Sequence, residues 1–95
     1  METKKIKATA GTIDRYGMSW YWEKERYGKK AYTAVCHVGG RCEVFGVVPD
    51  RYRYRDHWEG IWLAYSNGDR MGEYETLATA MKACQRALLK RRLEA

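Results

Sequence analysis

Asn67-Gly68 stands between two runs of strand-forming residues and just upstream of a helix-periodic stretch, and this order constrains the fold more than any other feature. Asn and Gly tolerate the positive φ angles that both central positions of a tight two-residue hairpin turn require. Residues 60 or 61 to 66 and residues 69–75 are therefore expected to pair as antiparallel strands. A two-residue loop sets Tyr65 opposite Arg70, Ala64 opposite Met71, Leu63 opposite Gly72, Trp62 opposite Glu73 and Ile61 opposite Tyr74. Ile61, Leu63, Tyr65 and Tyr74 then share one face, where Gly72 leaves room for a helix to cross. Trp62, Ala64, Met71 and Glu73 share the other, which makes Trp62 the tryptophan expected to be exposed for binding.

Thr76 is a suitable N-cap, and Leu77, Ala80, Met81, Cys84, Ala87 and Leu88 recur at helical spacing, so a helix is expected over about 77–92. Its polar face carries Lys82, Arg86 and Lys90, and Cys84 falls on the apolar stripe as a core thiol. Upstream, residues 31–38 and 41–48 flank Gly39-Gly40 and read as a second hairpin, with Val38 facing Arg41 and His37 facing Cys42. Cys36 and Cys42 then point to opposite faces. Residues 19–24 form a further strand, with Trp20 and Trp22 on one face and Tyr21 on the other, ended by the turn Tyr27-Gly28-Lys29-Lys30. Pro49-Asp50 is expected to close the strand before it. The expected fold is α+β: a five-stranded antiparallel sheet followed by one C-terminal helix packed on one face. Residues 1–12 are expected to be a flexible basic arm, and residues 13–95 a single domain.

Ninety-five residues leave no room for a deep catalytic cleft plus a cofactor domain. The net charge of +6 and a pI near 9.3 favour a polyanionic partner, either nucleic acid or an acidic protein surface. No apolar run is long enough to span a membrane and the first residues lack a secretory core, so a cytoplasmic location is expected. The three cysteines have no framework spacing and are expected to be thiols. Cys36, His37, Cys42, His57 and Cys84 lack the paired spacing of a zinc site, and no phosphate loop, dinucleotide fingerprint or serine elbow occurs. No metal, no cofactor and no enzymatic activity are expected. Cys42 beside His37 is the one nucleophile and base pair that the register brings together, without a third member.

Arg51, Tyr52, Arg53, Tyr54 and Arg55 carry the strongest binding signal. If extended, the run places three guanidiniums on one side and two phenol rings on the other. The alternative is a solvated connection between two sheet halves, with the tyrosines packed back onto the sheet. Lys29 and Lys30 add charge, and Trp20, Trp22, Trp58 and Trp62 supply rings, at least half of the chain's aromatics being needed for its core. Basic residues can track phosphates while rings stack on bases. The expected function is a small nucleic-acid-binding protein, using Arg51, Arg53, Arg55, Lys29 and Lys30 at phosphates and Trp62, Tyr52 and Tyr54 as contact rings. Exposed edge strands offer a route to a homodimer.

The segment from Trp62 to Met81 resembles the strand, turn, strand and helix of the plant ethylene-response-factor DNA-binding domain. It is also similar to the small sheet-and-helix modules of phage integrases. The resemblance rests on Trp62-Leu63-Ala64, the Gly68-containing turn, Gly72-Glu73-Tyr74-Glu75-Thr76 and the alanine-rich helix start. It implies that Trp62 and Ala64 lie on an exposed, groove-facing strand, that Gly72, Tyr74 and Thr76 are structural, and that DNA is favoured over RNA. The short sheet-and-helix layout is similar, too, to phage-encoded inhibitors of host defence systems, including anti-CRISPR proteins. That resemblance implies a host-protein partner as the alternative, and both place the chain in a phage or other mobile element.

Overall fold

A computed structural model describes residues 10–95. Six strands, β1 (Ala10–Arg15), β2 (Met18–Arg26), β3 (Lys29–Val38), β4 (Arg41–Tyr54), β5 (His57–Ser66) and β6 (Asp69–Tyr74), precede one helix, α1 (Leu77–Glu94). The strands form a single antiparallel sheet in chain order, each joined to the next by a two-residue turn. Six strands replace the expected five because Tyr16-Gly17 is itself a hairpin turn. Tyr16 takes φ 54° and Gly17 φ 69°, an arrangement repeated at Tyr27-Gly28. Ala10, Gly11 and Thr12 thus belong to β1 instead of a basic arm; residues 1–9 of that expected arm lie outside the described residues.

The Gly39-Gly40 register is as expected, from Val38 opposite Arg41 to Ala34 opposite Phe45. The second hairpin departs from expectation after its first pairs. Tyr65 faces Arg70, but the register then shifts, so that Gly72 faces Ala64, Glu73 faces Leu63 and Tyr74 faces Trp62. One extra residue in β6 moves every later side chain to the opposite face.

The helix packs on the face carrying Trp20, Ala34, Phe45, Val47 and Ala64, all at most 1% exposed. Ala80, Met81, Cys84 and Leu88 meet them from α1. Trp62 lies on this covered face at 8% exposure, with Tyr32 at 6.4 Å between ring centroids. Its expected exposure is therefore corrected, as is the groove-facing placement of Ala64. The physical reason is steric: the helix settles over the small side chains of Ala34 and Ala64, the Tyr74 ring folds over Gly72 beside them, and Ile61, Leu63 and Tyr65 are left on the bare face. Thr76 caps α1, its hydroxyl accepting from the Thr79 N–H at 3.1 Å. At the other end Arg91 donates to Glu43 at 3.0 Å and to Ser66, tying the helix to β4 and β5.

β4 does not stop at Pro49. Asn67 and Val44 exchange both an N–H···O=C bond of 2.7 Å and a Val44 N–H to Asn67 Oδ1 bond of 2.8 Å, so even-numbered residues of β4 turn their polar groups toward β5. Odd-numbered residues turn theirs toward β3, whose pairing ends at Tyr32 opposite Val47. The N–H that Pro49 lacks would thus point past the end of the β3 ladder, and the strand runs on at no cost in hydrogen bonds. The expected connection at residues 51–55 is corrected: Arg51 to Tyr54 pair with Gly60 to His57 in a long hairpin whose turn is Arg55-Asp56.

Candidate nucleic-acid interface

Beyond the edge of α1, the β4–β5 hairpin continues the helix-bearing face of the sheet as an uncovered ledge. Strand alternation from Val47 and Pro49 brings Arg51 and Arg53 onto this ledge, opposite Gly60 and Trp58. The expected separation of arginines from tyrosines holds for Arg51 and Arg53, while Tyr52 and Tyr54 stand on the reverse face, at 46% and 49% exposure. Arg55 leaves the strip. It occupies the turn at φ 57°, and its guanidinium lies 5.4 Å from the Tyr54 ring centroid.

Each ledge cation sits on an aromatic ring. The Arg51 guanidinium carbon lies 4.4 Å from the centroid of Tyr27 and 4.6 Å from that of Trp58, so the group is shared by both rings. Arg53 reaches Trp58 at 5.9 Å. Lys30 Nζ stands 3.9 Å above Trp22, whose indole passes so close to Gly11 that a Cβ there would come within 2.8 Å of it. Lys29 Nζ lies 5.7 Å from Trp62, and Gly60 leaves the space, since a Cβ at that position would approach the ammonium to 3.1 Å. None of these four cations forms an ion pair with a carboxylate among the described residues.

Alternation sends the acidic groups elsewhere. On the reverse of the hairpin, His57 Nε2 lies 2.8 Å from Glu59 and Nδ1 3.5 Å from Asp56, and the side-chain bond to Glu59, then that to Asp56, raises the His57 pKa above 6.5. Tyr52, Ile61, Glu73, Tyr74 and Glu75 line a shallow hollow on the same side.

Comparison of this chain with protein-family models, curated proteins and solved structures finds no match.

Of the eight residues expected at the interface, the structure brings Lys29, Lys30, Arg51 and Arg53 together. It buries Trp62 beneath Lys29, moves Tyr52 and Tyr54 to the reverse face and leaves Arg55 in the turn. The exposed rings of the ledge are Trp58, at 52%, and Tyr27, at 47%. Trp58 was legible as the residue facing Arg53 once the run is allowed to pair across Arg55-Asp56. Tyr27 was not, because it reaches the ledge from the β2–β3 turn.

His37 and Cys42 do meet, with Cys42 Sγ 3.6 Å from His37 Nδ1 on the bare face. Among the described residues no cluster of three or more His, Cys, Asp or Glu side chains could hold a metal. No described helix is long and apolar enough to cross a membrane.

Proposed function

We propose that this protein binds nucleic acid through the sugar-phosphate backbone, with Lys29, Lys30, Arg51 and Arg53 as phosphate contacts. The observation that carries this reading is a cluster of four cations on one face, each held on an aromatic ring and none neutralised by a described carboxylate. The rings act as platforms that hold the charges, not as base-stacking surfaces. An exposed cation–π contact is worth about 0.5–1 kcal/mol. A base entering between these cations and rings would displace two or three such contacts, which offsets most of the about 1–3 kcal/mol that stacking returns. A phosphate approaches from outside and leaves them intact. Backbone recognition is thus favoured over single-strand stacking, and the reading carries no sequence preference.

Titration of labelled duplex DNA, single-stranded DNA and RNA at several salt concentrations tests this. Four phosphate contacts on duplex DNA give a slope of log affinity against log salt of about −3.6. Arg51→Ala or Arg53→Ala should lower its magnitude by about 1 and weaken all duplex sequences alike. A strong preference for single strands, or no binding at low salt, would refute the proposal.

A further inference from the structure

The sheet face turned away from α1 is not the polar surface that a one-sided antiparallel sheet ordinarily gives to water. Tyr21, Val35 and Val44 stand on it at 48%, 58% and 39% exposure, and no described element covers them. At its centre lies Gly46, paired with Thr33 on one side and Tyr65 on the other. Gly46 gives β4 no side chain on this face between Val44 and Val48.

Charge is divided by face as well. Asp14, Glu23, Asp50, Glu59 and Glu73 alternate onto the bare face, where Arg70 is already paired with Glu73 and His57 with Glu59. The outward stripe of α1 has the opposite character. Lys82, Arg86 and Lys90 are exposed along it, together with Leu89 at 50% and Leu93 at 87%. A helix so thoroughly packed on its inner side has no internal use for outward leucines.

We propose that a second copy of this chain lays the outer stripe of its α1 across the bare sheet face of the first, with Leu89 set over Gly46, where β4 has no side chain. Each surface offers exposed apolar side chains, and the charges are opposite in sign. With Leu89 over Gly46, Lys82 lies about 10 Å farther along the helix axis, while Asp50 lies about 13 Å along β4. The two are then within the reach of a lysine side chain when the helix runs along the strands. A symmetric pairing of two bare faces would instead set carboxylates against carboxylates. The contact is therefore heterologous: each copy offers a helix to one neighbour and a sheet face to another, and the association does not close at a dimer. It is independent of nucleic-acid binding and uses surfaces, not sheet edges.

Sedimentation velocity of the full chain, treated with nuclease, over a concentration series at low and high salt reads this out. The average sedimentation coefficient should rise with concentration beyond the dimer value and fall with salt. Leu89→Glu places a carboxylate against the acidic face, and Val44→Lys places an ammonium against the basic helix. Both positions are exposed, so circular dichroism should report unchanged folds. Each variant alone should stay monomeric, its association midpoint raised at least about tenfold. Mixed in equal amounts, they should form a 1:1 dimer that grows no further, because one retains an intact sheet face and the other an intact helix. A wild-type chain that is monomeric throughout overturns the proposal. So does a mixture that stays monomeric, or an association that Val44→Lys abolishes and Leu89→Glu leaves intact.

Discussion

Cys36, Cys42 and Cys84 share a chemistry but not a setting. Burial between α1 and the sheet pushes the Cys84 thiol up to about 12, and burial also raises Cys36, against a smaller opposing effect of Arg92. Cys42 is exposed beside His37. Iodoacetamide should modify Cys42 alone in the folded protein, and the other two only on denaturation; rapid labelling of all three would contradict the packing. Trp62 offers a sharper test at the same scale. Its ring is buried against Tyr32, so Trp62→Ala should cost about 3–5 kcal/mol in denaturant unfolding. An exposed binding tryptophan would cost within about 0.5 kcal/mol. The sequence pattern could not separate these cases, because Trp62 and Ala64 on one face and Ile61 and Leu63 on the other are both apolar pairs. What decided was Ala64, whose small side chain admits the helix, together with a one-residue shift in β6 that no turn signal announces.

Turn chemistry made some elements legible and concealed others. Gly-Gly and Asn-Gly announce themselves, and both hairpins form where expected. Tyr16-Gly17 and Arg55-Asp56 do not, since Tyr16 and Arg55 adopt positive φ at positions where side chains rarely do. β1 and the outer half of β4 were hidden for that reason. Asn67 does more than turn the chain, as its carboxamide holds the Val44 N–H. Asn67→Gly keeps the backbone conformation and loses this bond, for a cost of about 1 kcal/mol. Asn67→Ala adds the strain of positive φ, about 1–2 kcal/mol more. Equal losses in thermal or denaturant unfolding would show that the bond, not the backbone, dominates. The tip of the β4–β5 hairpin is a pH-sensitive element. Because His57 has a raised pKa in the folded state, its pairing with Glu59 and Asp56 contributes fully below pH 6.5 and is lost as pH rises through that higher value. The imidazole should titrate above 6.5 by NMR, and Glu59→Gln should bring the midpoint down.

At the scale of the molecule, one sheet and one helix make a thin body, 19 Å in its shortest dimension. Its radius of gyration of 15.6 Å exceeds the about 12 Å of a compact chain of this length. Stability must then be uneven, because only the part of the sheet under α1 has a buried layer. Phe45, Val47 and Ala64 are fully enclosed, whereas every residue from Arg51 to Trp58 is exposed. Arg51 and Arg53, two of the four proposed phosphate contacts, thus stand on the least supported stretch of the sheet, held in shape by cation–π contacts in place of a core. Hydrogen exchange should show strong protection from residues 45–47 and 62–66, falling off toward the Arg55-Asp56 turn. Duplex DNA at saturating concentration should raise protection in the 51–60 hairpin and leave the helix-covered strands unchanged, because a bound ligand disfavours the sub-global opening that would release it. Uniform protection across β4 and β5 in the free protein would show that the hairpin is as stable as the core. Protection gained at α1 in place of the hairpin would move the interface off the ledge, to the basic outer face of the helix.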